Sequence, residues 1–337
     1  MHLSALTQLN GVSGNEDLVR KYIYDNIKTK CDNITIDSMG NMIAFKAGKK
    51  KNAKKMMLSS HMDEVGFIVS KITDDGFLKF KTVGGIDSRV LPAKFVAVGE
   101  KNKIGVIGSK AIHLMTMAER TNIIKTKDLY IDIGAKNKID AEKTVSIGDY
   151  ISFMSDYTEF GDEMIKAKAV DDRAGCSILM NILDERYDFD LYACFTVQEE
   201  VGLRGAKVCA YTVKPDIAIV IETTACSDTA GVESFNYSTI LGDGPAVSLI
   251  DRRTYYDREF ADYIYNLAKS NNISVQYKKA SFGGNDAGEI HISNSGVKTA
   301  TISIPVRYIH TPSSVISKND YHAANELLKV VLKEIKL

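Results

Sequence analysis

Apolar residues recur along the chain with two different periods, and the period changes twice. In the first thirty residues they fall at helical spacing: Leu3, Leu6 and Leu9, then Leu18, Val19, Tyr22, Ile23 and Ile27, with GVSG as a break between the groups. Residues 32–47 read as a short hairpin around Met39-Gly40-Asn41, KNAKK as a solvated turn, and MMLSS (56–60) as a short buried strand ending at His61. From about Glu64 to Asp156 the texture differs. Short strand-like runs (VGFIVSKI, GFLKFKTV, KFVAVG, KIGVIG, LYIDIG, YISFM) are separated by Gly, Asn and Lys turns, with one helix predicted near Thr116–Asn122. After about Met164 the pattern predicts helices over 173–183, 204–210, 257–270 and 320–335, alternating with strands LYACFTV, DIAIVIE, AVSLI, SVQYKKA and TATISIPV. Near-continuous apolar strands between helices require a sheet covered on both faces. The expected fold class is therefore α/β: a mixed-sheet domain of residues 1–63 and 157–337, with a β-barrel of residues 64–156 inserted into it.

Five polar stretches sit where the apolar runs stop: SSHMDEVGF, KAVDDRAG, TVQEEVGL, VIETT and PVRYIHTP. In an α/β sheet the strand ends are where functional groups converge. These stretches supply His61, Asp63, Asp171, Asp172, Glu199, Glu200, Glu222 and His310. Each has a plainer role open to it. Asp171-Asp172 before a helix can act as an N-terminal cap, and Glu199-Glu200 can be a solvated loop. Glu222 is harder to dismiss, because it follows the apolar run IAIVI, and a buried carboxylate needs a cation. Two histidines with several carboxylates suit a dinuclear Zn²⁺ or Co²⁺ site. In His61-Met62-Asp63 the Asp can accept a hydrogen bond from the second ring nitrogen and make the imidazole a better ligand.

Composition narrows the partners. Lys+Arg and Asp+Glu both number 43 among 337 residues, so no charge imbalance points to nucleic acid or a membrane surface, and neutrality is compatible with self-association. The five cysteines include no CxxC pair, which favours a reducing, cytoplasmic setting. The N-terminal stretch has no basic region followed by a long apolar run, and no apolar run reaches membrane-spanning length, so neither a signal peptide nor a span is expected.

Taken together, GNMIAFKAG, SSHMDEVGFIV, KAVDDRAGC, FTVQEEVGLRGA, SFGGNDAGEIHISNSGV and IPVRYIHTPSSVI resemble the M42 metallo-aminopeptidases, the group of tetrahedral and glutamyl aminopeptidases, over essentially the whole chain. The resemblance implies a catalytic α/β domain with an inserted dimerisation barrel, and a homo-oligomer in which dimers assemble into a dodecamer. It implies two divalent ions per subunit, Zn²⁺ or Co²⁺, and release of N-terminal residues from short peptides by metal-activated water. By the same pattern His61 and Glu222 would hold one ion, Glu200 and His310 the other, and Asp172 would bridge them. Glu199 would be the general base and Asp63 would orient His61. The family more often has Asp where this chain has Glu222, and Asp228 is a nearby competitor for that role. Gly283 and Gly284 would shape the substrate pocket, with Arg307 as a candidate for recognising an acidic side chain. Acidic and leucine-type preferences are both open. A metal-dependent amide deacylase or dipeptidase is the main rival reading. An endoglucanase, which needs two carboxyl groups across a sugar bond and no paired histidines, fits less well.

Overall fold

The computed structural model describes residues 2–279 and 283–336; Ala280, Ser281 and Phe282, which close one predicted strand and open the Gly-rich stretch, lie outside the described residues. Helices α1 (Leu3–Gln8) and α2 (Asp17–Ile27) lead into hairpin strands β1 (Asn33–Ile36) and β2 (Met42–Lys46), then β3 (Lys55–His61). Six strands follow: β4 (Gly66–Ile72), β5 (Leu78–Val83), β6 (Phe95–Val98), β7 (Lys103–Gly108), β8 (Tyr130–Asp132) and β9 (Tyr150–Phe153), with short helices α3 (Met117–Thr121) and α4 (Lys138–Ala141) between them. The chain continues through β10 (Thr158–Phe160), β11 (Met164–Ala167), α5 (Val170–Ile182), β12 (Asp190–Thr196), α6 (Arg204–Val213) and β13 (Ile217–Ala225). It ends with β14 (Ala246–Ser248), α7 (Arg258–Ser270), β15 (Gln276–Lys278), α8 (Ala287–Ile290), β16 (Lys298–Val306), β17 (Ser314–Ser317) and α9 (Lys318–Glu334).

An eight-stranded mixed sheet in the order β1-β2-β12-β3-β13-β16-β14-β15 forms the frame. Its centre, β12-β3-β13-β16, is parallel throughout, so the carboxyl ends of these four strands share one edge. The apolar runs split by parity. In β13, Ile217, Ile219 and Ile221 enter the core under α1, α2, α5, α7 and α9, while Ala218 and Val220 enter a second core under α6 and α8. The same division holds for Met56 and Leu58 against Met57 in β3. Two buried faces explain why these strands read as continuous apolar segments.

Strands β4 to β9 close into a barrel in the order β4-β5-β8-β7-β6-β9. It has a core of its own, centred on Phe67, whose ring meets Phe80 and Phe153 edge-on with centroids 5.0 and 5.1 Å apart. Near where the chain enters and leaves the barrel, Lys168 Nζ lies 2.7 Å from Glu64 Oε1, both side chains being buried. Arg173, fully buried, donates to the carbonyls of Met62 (2.8 Å) and Leu6 (2.7 Å), tying α5 to the end of β3 and to α1.

Several elements differ from the sequence expectation. A three-stranded sheet β10-β11-β17 and the one-turn helices α4 and α8 have too few residues for a periodic signal. Strand β13 runs on to Ala225, past the predicted end at Glu222, so Glu222 lies within the strand rather than at its end. One start agrees with the pattern: helical backbone in α5 begins at Arg173, as predicted, because Asp171 and Asp172 hold extended or bridge-like dihedrals. Replacing Phe67 with Ala is expected to cost about 3–5 kcal/mol. Urea unfolding should show that loss, and a change below about 1 kcal/mol would contradict an independently packed barrel core.

Candidate metal centre and active site

Four parallel strands deliver the site's side chains to one sheet edge. His61 ends β3 in register with Thr196 of β12. Glu199 and Glu200 follow β12, Glu222 lies in β13 and His310 follows β16, while Asp171 and Asp172 stand at the start of α5. His61 Nε2 lies 3.3 Å from Asp171 Oδ1, 3.6 Å from Glu222 Oε1 and 4.0 Å from Glu199 Oε2. His310 Nε2 lies 3.3 Å from Asp171 Oδ2 and 3.2 Å from Glu200 Oε1. Two ligand triads, each with its atoms within 4.8 Å of one another, share His61: one with Asp171 and Glu200, one with Asp172 and Glu222.

The carboxylate that stands between the two imidazoles is that of Asp171, with one oxygen toward each ring. The sequence reading gave this place to Asp172. The physical reason for the difference is the local backbone. Asp172 turns back into the first helical turn, where its Oδ1 accepts from Gly175 N at 2.9 Å, and only Asp171 lines the cavity. Gly175 permits this packing, since a Cβ there would stand 2.5 Å from both Asp172 Oδ2 and Ser60 Oγ. Asp172 nonetheless stays within ligand reach of His61 and Glu222.

The imidazoles are held from behind by backbone carbonyls. His61 Nδ1 bonds to the Asp63 carbonyl at 3.1 Å, with the Asp63 carboxylate 3.4 Å away. That carboxylate instead accepts from Ser13 Oγ (2.6 Å), Glu199 N (3.0 Å) and Glu200 N (3.2 Å). His310 Nδ1 bonds to the Gly85 carbonyl of the barrel at 2.8 Å. Such outer contacts select the tautomer that leaves Nε2 as the ligand atom. Gly84, at φ +81°, packs against the other barrel-side ligand: a Cβ there would lie 3.3 Å from Glu200 Cβ and 2.8 Å from Val65 Cγ1.

Electrostatics fit the chemistry of this donor set to divalent cations. Six carboxyl groups (Asp63, Asp171, Asp172, Glu199, Glu200, Glu222) crowd two imidazoles. Asp172 Oδ2 and Glu200 Oε1 are buried without a hydrogen-bond partner; the 3.2 Å approach of His310 to the latter is a charge contact rather than a directed bond. Burial pushes Glu199 well above the ordinary carboxylate range and Glu222 up to about 8, against the opposing pull of His61. Burial alone would lower His310, but the Glu200 charge and the Asp171 contact raise it to about 11. An unpaired buried acid is costly, and two dications would compensate this cluster.

The site opens into a cavity of about 590 Å³ whose lining includes His61, Asp171, Glu199, Glu200, Glu222 and His310. Gly283 and Gly284 line it as expected. Arg307 does not. It forms a two-pronged pair with Asp228, Nη2 to Oδ2 at 2.7 Å and Nε to Oδ1 at 3.1 Å, and Asp228 also accepts from Leu241 N, so both side chains are committed to bracing the 226–244 loop. Asp228 is thereby removed as a competitor of Glu222. The basic groups on the cavity wall are Lys278, Arg252 and Arg253, which the sequence reading missed because they lie far along the chain from the acidic motifs.

A two-triad centre at the carboxyl edge of a parallel sheet, beside an open cavity, is that of a dinuclear metallohydrolase. Residues 40–327 match the family model of the M42 glutamyl aminopeptidases, and the chain belongs to that family. It is 30% identical to the glutamyl aminopeptidase of Lactococcus lactis, over 99% of this chain and 95% of that one. Among solved structures it is similar to a Thermotoga maritima protein described as an endoglucanase (41% identity, TM-score 0.83, 99% and 97% of the two chains). It is also similar to the Pyrococcus horikoshii TET1 peptidase, described as assembling into a tetrahedron or a large octahedral shell (32% identity, TM-score 0.87, 99% and 98%).

Uptake of cations by this site should release protons. His61 and His310 are both raised, so at pH 7 ions must displace protons from them, and apparent affinity should rise with pH between about 5 and 9. Calorimetric titration of metal-depleted protein with Zn²⁺ in two buffers of different ionisation enthalpy measures the protons released; zero would contradict the proton-loaded site.

Proposed function

We propose that the protein is a dinuclear metal-dependent aminopeptidase that releases N-terminal residues from short peptides. The observation that carries this reading is the Asp171 carboxylate between His61 and His310. In our assignment His61 and Glu222 hold one ion, with Asp172 in reach, Glu200 and His310 hold the other, and Asp171 takes the bridging role first given to Asp172. Two Zn²⁺ or Co²⁺ ions there would polarise the scissile carbonyl and lower the pKa of water. Glu199 lines the cavity, and burial raises its proton affinity, which suits a group that takes a proton from water and returns it to the leaving amine. Asp63 positions rather than reacts: its carbonyl fixes His61 and its carboxylate holds the amides of Glu199 and Glu200.

The cavity's basic lining residues favour acidic N-terminal side chains. Lys278 lines it, makes no ion pair among the described residues, and is lowered by burial, so an incoming carboxylate would stabilise its charge. Arg252 and Arg253 add positive charge at the exposed rim. The name of the Lactococcus relative agrees with this preference.

Self-association through the barrel, which we take as residues 64–156, is supported by its exposed Ile112, Leu114, Met117, Ile139 and Ile147. The tetrahedral form described for the Pyrococcus peptidase supports dimers that assemble into a dodecamer as the expected form. All five cysteines are free thiols, four of them buried, which supports a reducing cytoplasm. No helix among the described residues is long and apolar enough to cross a membrane.

A deacylase or dipeptidase would use the same ligands but would accept a blocked or differently placed amine. An endoglucanase is disfavoured because the carboxyl groups gather around two imidazoles instead of facing each other across a sugar-sized gap. The deciding assay is hydrolysis of Glu-, Asp-, Leu- and Lys-p-nitroanilides by metal-loaded protein, with and without EDTA. Glu and Asp substrates should be cleaved fastest, and EDTA should abolish cleavage. Glu199→Gln should lower kcat by at least about 100-fold with both ions retained. Lys278→Ala should raise KM for the Glu substrate about tenfold and leave the Leu substrate nearly unchanged. Preferential cleavage of N-acetylated substrates would replace this reading with the deacylase.

A further inference from the structure

The GVSG break that separates the first two helices has no part in the ligand set, yet it lies against the loop that carries Glu199 and Glu200. The chain pairs there with the end of β3: Val12 bridges to Glu64, Ser13 N donates to the Glu64 carbonyl at 3.2 Å, and Glu64 N donates to Gly11 at 2.9 Å. This brings Ser13 onto Asp63 and places the Glu16 side chain under residue 198.

Four consecutive backbone amides of the loop donate to side chains from three separate segments. Val197 N donates to Asn41 Oδ1 (3.0 Å), Gln198 N to Glu16 Oε1 (3.2 Å), and Glu199 N and Glu200 N to the two oxygens of Asp63 (3.0 and 3.2 Å). Gln198 is at φ +55°, a left-handed conformation that a non-glycine residue adopts at a cost and keeps only where its surroundings enforce it. Its amide is the one that Glu16 receives.

Glu16 is an odd residue to bury. It is 3% exposed and pairs with no Lys or Arg among the described residues. Apart from Gly14 N two residues away, the hydrogen-bond donor to its carboxylate from elsewhere among the described residues is the Gln198 amide. A burial cost of this kind persists where the group does something a Leu would not. Its acceptor oxygen meets the residue just before the two functional glutamates.

We propose that Glu16 is a positioning residue for the active-site loop: by accepting the Gln198 amide it holds the left-handed turn that aims Glu199 into the cavity and Glu200 toward His310. Ser13 assists by fixing Asp63. The requirement is an acceptor oxygen at one place, so length matters more than charge. This inference rests on the assignment of Glu199 and Glu200 made above.

The test compares Glu16→Gln, Glu16→Asp and Glu16→Ala in the metal-loaded protein. Glu16→Gln keeps the oxygen in place and should retain kcat within about threefold. Glu16→Asp keeps the charge but withdraws the oxygen by one methylene, and should lower kcat at least about tenfold with KM within about twofold, as misplacement of a reacting group does. Glu16→Ala should fall as far or further. Co²⁺ titrated into metal-depleted protein gives a readout independent of turnover. The visible Co²⁺ absorption should change in Glu16→Asp and match wild type in Glu16→Gln, since Glu200 shifts in the first and not in the second. Should Glu16→Ala fail to fold, the Gln and Asp variants decide. The proposal is overturned if Glu16→Asp keeps kcat within twofold and leaves the Co²⁺ spectrum unaltered, or if Glu16→Gln falls as far as Glu16→Asp. Wild-type protein that cleaves no aminoacyl anilide would sink the aminopeptidase reading instead, and the Co²⁺ spectra would still judge Glu16.

Discussion

The concentration of carboxyl groups around two imidazoles is the constraint from which the rest follows. Like charges drawn from water into one cleft repel, and each loses its hydration, so the cluster opposes folding unless something outside it holds the pieces. The parallel sheet does so by main-chain bonds that are indifferent to the charges: β12, β3, β13 and β16 are locked in register, and their carboxyl ends carry the groups whatever their protonation. The price is met in the two apolar layers, where alternate residues of the same strands are fully buried. Cation binding energy is thus stored as proximity in the scaffold.

A second tier of contacts converts proximity into direction. Buried Arg173 ties the start of α5 to Met62, next to His61, so Asp171 and His61 are set by one side chain. Asp63 sets His61 with its carbonyl and the following loop with its carboxylate. Almost all of these orienting bonds end on backbone groups. A side chain can swing away from another side chain, whereas a carbonyl in a packed strand end has nowhere to go.

The layering of the fold was readable because each layer carries a period. Continuous apolar runs gave the sheet, alternation with turns gave the barrel, and both were found with the expected order of elements. Sheet β10-β11-β17 carries no such pattern: Thr158–Phe160 is exposed throughout and pairs with Met164–Ala167, which in turn pairs with Ser314–Ser317 from much later in the chain. The motifs marked the cluster, since His61, Glu199, Glu200, Glu222 and His310 do converge. They could not choose between Asp171 and Asp172, because adjacent residues differ only in where the backbone aims them. Nor could they see that Arg307 had been claimed by Asp228, or that Lys278 takes its place on the cavity wall. Pairing between residues remote in sequence is decided by packing, and no local pattern encodes it.

The Gly84-Gly85 corner gives the barrel a standing that an appended association unit would lack. One glycine lies against Glu200 and the next offers its carbonyl to His310, so the lip of the barrel forms part of the mould in which half of the centre is cast. Protein engineers who treat the insertion as an exchangeable module, to be trimmed or swapped for another barrel, would be cutting through the active site. A graft would have to reproduce that corner, backbone and absent side chains alike, before the catalytic half could be expected to work.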